Sequence, residues 1–246
     1  ADRERIYDPI SYHQGSVWPL FTGWLAMAEY RAGRPAAGWQ HLKQNAELTY
    51  AQDPGAITEL LSGAYFEPLG RSSSRQMWSS AMVVAPAVKG LFGLDPDVPH
   101  HRLRAMPQLP ASWDRAVLHR FPFGTTALEV AVSREGDHLR VGVTSGAALA
   151  LCINGADKEC RAQPAREWQF TVPLPRVEVE ALDGLPTPGS RTHQVKILDV
   201  AGDQVTLEGP AGTESEIYWR AAGAGRRVRV AFPAGSGYQR ITLRNP

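Results

Sequence analysis

The hydrophobic pattern of the chain changes near residue 95, and this change most constrains the fold. Before residue 95, apolar residues recur every three or four positions, as in Trp18, Phe21 and Leu25, which is the period of an amphipathic helix. After it, apolar and polar residues alternate, as they do in a half-buried strand. The sequence therefore predicts an α+β protein with a helical part over 1–95 and a β-rich part over 96–246.

Helix signals in the first part are clear. Three helices are predicted, over 17–32, 35–52 and 73–93. Pro19 suits a first helical turn, and Gly33 suits a helix end. Ser73 and Gln76 have the spacing of a capping box at the start of the third helix. Pro86 is expected to bend or split that helix because proline has no backbone N–H.

The second part is a series of short alternating segments separated by turns rich in Gly, Pro, Asn and Asp. Their spacing is typical of an antiparallel β-sandwich or of two small sheets. A linker-like segment, GLPTPGSRTH, indicates that a second module starts near residue 188. The nine predicted strands are TALEVAVSR, HLRVGVTS, EWQFTVPL, RVEVEAL, HQVKILDV, QVTLEG, EIYWRAA, RRVRVAF and YQRITLR.

Composition and charge exclude several classes of function. Lys plus Arg number 26 and Asp plus Glu number 25, so no strong field favours nucleic acid or an anionic membrane as a partner. Apolar runs end well short of the roughly 20 residues of a membrane-spanning helix. The histidines are scattered and the phosphate- and dinucleotide-binding fingerprints are missing, so we expect neither a metal site nor a cofactor.

The sequence does not decide whether the protein lies in the bacterial cytoplasm or in the periplasm. The chain begins ADRERIYDPI, without an initiator Met or a signal-like segment, so we expect it to be processed or to start partway through a larger protein. Cys152 and Cys160 flank a predicted turn at Asn154 and Gly155 that would bring them together in a hairpin. A disulfide and two free thiols are both compatible with this sequence.

Carboxylates and aromatic side chains are the residues most suited to form a site. Sugars stack on aromatic rings, and hydrolysis of a glycosidic bond needs two carboxyl groups. Glu59, between the second and third predicted helices, is a candidate for one of them; a helix cap or a salt bridge is its alternative role. Trp18 and Trp78 are either sugar platforms or core aromatics. The sequence has no G-x-S-x-G nucleophile elbow, which disfavours a serine hydrolase.

Three motifs follow one another along the first part of the chain. YHQGSVWPL opens the first helix, ELLSGAYFEP follows the second, and SSSRQMWSSAMVVAPAVKGLFGL opens the third. In this order they resemble the closing segment of the (α/α)6-barrel glycosidases, above all bacterial glycogen-debranching or amylo-α-1,6-glucosidase-like proteins. The resemblance covers about residues 8–95. The LPASW segment continues into the accessory β-region that often follows such barrels.

This resemblance implies an inverting glycoside hydrolase that cleaves α-glucosidic or related linkages. It implies that Glu59 is the general base that activates water, with Glu67 as the weaker candidate. Trp24 is expected to pack between helices. The residues proposed to bind the carbohydrate substrate are His13, Gln14, Trp18, Trp78, Tyr65 and Glu67.

The chain also departs from the family in two ways. A full barrel has twelve helices and three are predicted here, and the general acid of relatives lies on an earlier helix. The helices must cover their apolar face against the β-region, against another copy, or against a missing N-terminal barrel part. The alternative function is a non-catalytic carbohydrate-binding or structural fragment; a hydrolase with other chemistry is less favoured.

Overall fold

The fold is known from a computed structural model, which describes residues 7–153, 160, 163–191 and 194–244. Helices and strands are both abundant, so the predicted α+β class is confirmed. The helices are α1 (Pro19–Arg31), α2 (Pro35–Glu47) and α3 (Met77–Pro86). The strands are β1 (Leu94–Asp97), β2 (Arg102–Ala105), β3 (Arg115–Phe123), β4 (Thr126–Glu135), β5 (His138–Ile153), β6 (Ala165–Pro173), β7 (Val177–Ala181), β8 (Lys196–Ala201), β9 (Gln204–Pro210), β10 (Glu214–Ala221), β11 (Ala224–Ala231) and β12 (Tyr238–Arg244).

The first two helices begin and end close to the predicted positions. Both start with a proline, Pro19 and Pro35, whose missing N–H is not needed in a first turn. Gly33 has a φ of 72° directly after α1, the left-handed conformation that ends many helices. The second helix is shorter than predicted, because a 3-10 turn, Leu48–Tyr50, takes over after Glu47.

The predicted start of the third helix is wrong. The helix begins at Met77, and its N-cap is Gln76, without a side-chain capping bond. Ser73 lies before the helix: its Oγ accepts the Arg75 N–H at 3.3 Å, and its backbone pairs with Glu59. The expected effect of Pro86 is confirmed, since α3 ends there and continues as one π-helical turn, Ala87–Leu91.

Glycines allow the three helices to approach closely. A Cβ on Gly23 would lie 2.2 Å from Met82, and one on Gly38 or Gly90 would lie 2.8 or 2.2 Å from the Tyr30 ring. These contacts place the start of α1 beside α3 and the end of α1 beside the π-turn. Helices α1 and α3 therefore run parallel, and the buried Tyr30 ring fills the slot between them and α2.

Trp24 lies on the exposed side of α1. It is 48% exposed, and its ring lies 5.4 Å from that of Phe21, which is 53% exposed. The expectation that Trp24 packs between helices is therefore wrong.

A six-stranded sheet lies against the helices. Its order is β1-β2-β5-β4-β3, with β6 pairing β5 on the side opposite β4. The β2–β5 pair is parallel, so the expectation of a wholly antiparallel region is wrong. All nine predicted strands are present, and β1, β2 and β3 were missed. One hydrophobic cluster joins this sheet to the helices and includes Tyr30, Leu42, Leu91, Leu128, Val130 and Val141.

Two three-stranded sheets share a second core. Their orders are β11-β10-β7 and β12-β9-β8. Strand β7 lies before residue 188 and pairs with β10, which lies after it. Both sheets contribute to one cluster, which contains Val177, Val179, Ile197, Val205, Leu207, Ile217, Trp219 and Val230.

Helix α2 covers the free edges of β7 and β8. Gln40 Nε2 donates to the Val195 carbonyl at 2.5 Å, and Lys43 Nζ lies 3.4 Å from the Ala181 carbonyl. These side chains satisfy backbone groups that an edge strand would otherwise leave unpaired. The helical part is thereby attached to the β-rich part.

Buried arginines hold the connector between β2 and β3, residues 106–114. Arg134 Nη1 lies 2.5 Å from Glu178 Oε2, with both side chains almost fully buried. Arg220 Nε donates to the Ala111 carbonyl at 2.7 Å. Burial raises the pKa of Glu178, and the charge of Arg134 opposes that rise.

A buried glutamate, Glu180, also bonds to this connector. Glu180 is 4% exposed. Its Oε1 accepts a hydrogen bond from Trp39 Nε1 at 2.9 Å, and its Oε2 accepts one from the Ser112 N–H at 3.1 Å. The carboxylate therefore joins α2, β7 and the connector, so it has a structural role.

The two cysteines form a disulfide, one of the two states that the sequence left open. Cys152, at the end of β5, is fully buried and bonded to Cys160. The predicted Asn154–Gly155 turn lies outside the described residues.

Candidate functional site

Glu59 is the centre of the candidate site. The residue is 7% exposed. Tyr12 Oη donates to Glu59 Oε1 at 2.6 Å, and the Ser73 N–H donates to Oε2 at 3.2 Å. Gln76 Nε2 lies 3.4 Å from Oε1 as a further donor. These hydrogen bonds fix the orientation of the carboxylate.

The segment around Glu59 is irregular but well anchored. Leu61 pairs with Val17, and the Glu59 N–H donates to the Ser73 carbonyl at 2.8 Å. The Gln76 N–H donates to the Ile57 carbonyl at 2.9 Å. Because Glu59 and Ser73 exchange backbone and side-chain bonds, the carboxylate is held at the N-terminal ends of α1 and α3.

The aromatic side chains of the YHQGSVWPL motif cluster around Tyr12, which bonds the carboxylate. The Tyr12 ring lies 4.9 Å from His13 and 5.6 Å from Trp18, both edge to face. His13 and Trp18 stack, with planes 9° apart and centroids 6.0 Å apart. Trp18 Nε1 is buried and has no hydrogen-bond partner among the described residues.

Electrostatics keep the Tyr12 phenol protonated. Its hydrogen bond to Glu59 raises the pKa of Tyr12 above the usual 10.0, with smaller contributions from burial and from the Glu59 charge. A phenol that holds its proton remains a donor to the carboxylate over the whole neutral range.

The structure brings together some of the predicted site residues. Glu59, His13 and Trp18 all meet at Tyr12. Gln14 is exposed, and its Oε1 lies 3.5 Å from Ser11 Oγ. His13 and Gln14 are both exposed, and His13 contacts the Tyr12 ring that bonds the carboxylate.

The other predicted site residues lie further from these contacts. Trp78 is 43% exposed in the first turn of α3. Tyr65 lines a separate cavity of about 240 Å³ with Phe66 and Leu185. Glu67 is exposed, and its carbonyl accepts the Ser62 N–H at 2.8 Å. Within the described residues, Glu67 makes no hydrogen bond to Glu59.

Sequence reasoning missed Tyr12, Ser73 and Gln76 as partners of Glu59. Tyr12 precedes His13 inside a motif already singled out, so its position was a usable signal. Gln76 was assigned to a capping box, and its actual contact depends on the extended backbone before α3. No sequence pattern predicts the pairing of Ser73 with Glu59.

The described residues contain no cluster of three or more His, Cys, Asp or Glu side chains suited to a metal ion. Within the same part of the chain, none of the helices has the length and apolar character needed to cross a bilayer. Comparison with protein-family models and with curated protein sequences finds no match.

Proposed function

We propose that the chain is the C-terminal part of a glycoside hydrolase that cleaves α-glucosidic or related linkages with inversion, and that Glu59 is its general base. The observation that carries this proposal is the buried Glu59 carboxylate, which is bonded to Tyr12 and Ser73, while the stacked rings of His13 and Trp18 pack on the Tyr12 ring. A fixed carboxylate and nearby aromatic rings supply part of what sugar hydrolysis requires, the other part being a second carboxyl group. The motif order described above agrees with this assignment.

The arrangement leaves Glu59 free to accept a proton. Each carboxylate oxygen has two acceptor positions. Oε1 accepts from Tyr12 and Gln76, whereas Oε2 accepts from the Ser73 N–H alone within the described residues. We assign the remaining position on Oε2 to the attacking water. As the water oxygen bonds to the anomeric carbon, its proton passes to Glu59, and the glycosidic C–O bond on the opposite face breaks. The leaving oxygen takes its proton from the second carboxyl group, the general acid, which we assign to another part of the protein.

We assign the carbohydrate to the side of Glu59 lined by aromatic rings. Trp18 and His13 present a stacked pair suited to a sugar ring face, and Gln14 adds an exposed amide for a hydroxyl. Trp78, Tyr65 and Glu67 are proposed to contact more distant sugar units. We further propose that α1, α2 and α3 are part of an (α/α)6 barrel and that the paired three-stranded sheets form a β-sandwich.

A non-catalytic carbohydrate-binding fragment is the second candidate function. It is favoured by one observation. An inverting reaction requires a second carboxyl group at about 6.5–9.5 Å, and the described contacts of Glu59 are with a phenol, an amide and a backbone N–H. In this alternative the chain binds sugar at Trp18 without hydrolysing it.

The test uses α-glucosyl fluoride, because fluoride departs without protonation and the general acid is therefore not needed. We expect turnover that releases β-glucose, and a loss of more than about a hundredfold in Glu59→Gln. The matched control is Glu67→Gln, which changes the other carboxylate of the same segment and is expected to keep most of the activity. Azide, a nucleophile that needs no base, should restore turnover to Glu59→Ala.

The outcomes separate the two candidates. Equal activity in Glu59→Gln and the unsubstituted chain would overturn the assignment of the base. If no sugar fluoride is hydrolysed but maltooligosaccharide binding is measurable by calorimetry and is lost in Trp18→Ala, the chain is a binding fragment.

A further inference from the structure

Asp53 is a second carboxylate that bonds to the segment holding Glu59, residues 73–76. The first and last residues of this segment donate hydrogen bonds to Glu59. The two residues between them bond to Asp53 instead. Ser74 Oγ donates to Asp53 Oδ2 at 3.2 Å, and Arg75 Nε donates to the same oxygen at 3.0 Å. All four residues of the segment are therefore bonded to one or the other of these two carboxylates.

A tight turn fixes the backbone of Asp53. The Ala56 N–H donates to the Asp53 carbonyl at 2.9 Å, and Gly55 has a φ of 81°. With Pro54 before the glycine, this is the pattern of a type II β-turn. The Gly55 N–H also donates to the Thr49 carbonyl at 3.1 Å, which ties the turn to the end of the second helix. None of these contacts uses the Asp53 side chain, so they remain when that side chain is replaced.

The chain runs from this turn directly to Glu59. Residues 56–59 pair with residues 73–76 through two backbone hydrogen bonds, of 2.9 and 2.8 Å. The Ser73 N–H then bonds to Glu59 Oε2 at 3.2 Å. Asp53 and Glu59 therefore hold the same segment from the two ends of one short, anchored stretch of chain.

The two carboxylates differ in exposure. The Asp53 side chain is 41% exposed and that of Arg75 is 76% exposed, whereas Glu59 is 7% exposed. The hydrogen bond from Arg75 and its charge keep the pKa of Asp53 below its usual 3.8, so this acceptor stays charged at neutral pH. Within the described residues the Asp53 carboxylate makes no hydrogen bond to Tyr12. Any effect of Asp53 on Glu59 must therefore pass through residues 73–76.

We propose that Asp53 is a positioning residue for Glu59. Its bonds to Ser74 and Arg75 keep the Ser73 N–H in place against the Glu59 carboxylate, and a segment without these bonds lets that donor turn away. The consequence for turnover rests on the general-base function proposed above. The consequence for the Ser73 hydrogen bond does not.

The first test measures this hydrogen bond without any substrate. Amide hydrogen exchange, followed by NMR, should be about tenfold faster at Ser73 in Asp53→Ala, as expected for the loss of one exposed ion pair and one hydrogen bond. Asp53→Asn keeps a neutral acceptor and should restore most of the protection. The fully buried Val130 is the internal reference and should change much less. The matched control is Asp95→Ala, which removes another exposed carboxylate, paired with Arg104 at 3.5 Å.

A double substitution tests the route through the segment. Ser74→Ala removes one of the two bonds to Asp53 and should raise the exchange rate at Ser73 about threefold. In the Asp53→Ala background the same substitution should add nothing, because the bond that it removes is already absent. A further threefold rise in the double variant would overturn this route.

The second test measures turnover. With α-glucosyl fluoride, kcat of Asp53→Ala should fall about tenfold with little change in KM, and Asp53→Asn should recover most of it. An unchanged kcat would overturn the proposal, as would equal acceleration of exchange at Ser73 and Val130, which would indicate a purely structural role. Faster exchange at Ser73 alone, in a chain that hydrolyses no sugar fluoride, would support the positioning of Glu59 by Asp53 and contradict the function proposed for Glu59.

Discussion

Two buried glutamates of this chain differ in what holds them. Glu180 receives one donor on each oxygen, from Trp39 on α2 and from Ser112 on the connector. Glu59 receives its donors from Tyr12, Ser73 and Gln76, which lie in the irregular segments at the start of α1 and α3. Both residues are less than a tenth exposed. Burial alone therefore does not distinguish a structural carboxylate such as Glu180 from a candidate base such as Glu59. The two residues differ in the surface that lies next to them.

The largest expected effect is on the buried pair of Arg134 and Glu178, a residue of the same strand, β7, as Glu180. Arg134→Met leaves the Glu178 carboxylate buried without its cation, and breaking a buried pair in this way costs about 3–5 kcal/mol of the free energy of unfolding. Urea denaturation measures the loss. The matched control is Arg140→Met, whose pair with Glu135 is exposed and is worth about 1 kcal/mol or less.

The loss in Arg134→Met should depend on pH. Burial raises the pKa of Glu178 in the folded chain above its ordinary value of 4.5. A carboxyl with a raised folded pKa gives its full stability below the unfolded pKa and loses it as the pH rises through the folded pKa. At low pH, the free energy of unfolding of Arg134→Met should therefore differ less from that of the unsubstituted chain. If Arg134→Met loses the same free energy of unfolding at acid and at neutral pH, the loss does not come from the Glu178 carboxylate.

The second prediction compares the two glutamates directly. Glu180→Gln places an amide NH2 against either Trp39 or Ser112, both of which are donors, and should lower the free energy of unfolding by about 1–3 kcal/mol. Glu59→Gln should change it by less, because the Tyr12 hydroxyl can accept a hydrogen bond from the new amide as well as donate one. Thermal and urea unfolding of both variants provide the measurement. A larger loss in Glu59→Gln would identify Glu59 as a structural residue.

Much of the fold was predictable because the signals are local. Alternation predicted nine strands, proline placed the starts of α1 and α2, and glycine placed the end of α1. The parallel pairing of β2 with β5 and the start of α3 were not predictable, because they depend on contacts between distant residues. Strand β1 includes Pro96, and a proline argues against a strand.

The site was predictable only in part, for the same reason. Glu59, His13 and Trp18 were selected by residue type and motif, and the structure places them around Tyr12. The bonds from Ser73 and Gln76 arise from an extended segment that carries no periodic signal. The exposure of Trp24 was missed because an apolar helical face is normally read as a core face.

A smaller effect is expected when the hydrogen bond between Tyr12 and Glu59 is removed. Tyr12→Phe keeps the ring that packs on Trp18 but loses the donor to Oε1, so the base is less well oriented. We expect kcat on α-glucosyl fluoride to fall about tenfold with little change in KM, which corresponds to about 1.4 kcal/mol. Tyr65→Phe is the control and should keep the original kcat. A change confined to KM would assign Tyr12 to substrate binding.

The smallest effect is a spectroscopic one, and it tests the contact without any substrate. The hydrogen bond to Glu59 is the largest cause of the raised pKa of Tyr12, so Glu59→Gln should move the ionisation of this phenol back toward 10.0, the usual tyrosine value. Ultraviolet difference titration, with Tyr12→Phe to identify the signal, measures the change. Glu67→Gln should leave the titration of Tyr12 where it was. If Glu59→Gln also leaves it unchanged, the short contact between the phenol and the carboxylate does not persist in solution, and Glu59 would lose the partner that distinguishes its setting from that of Glu180.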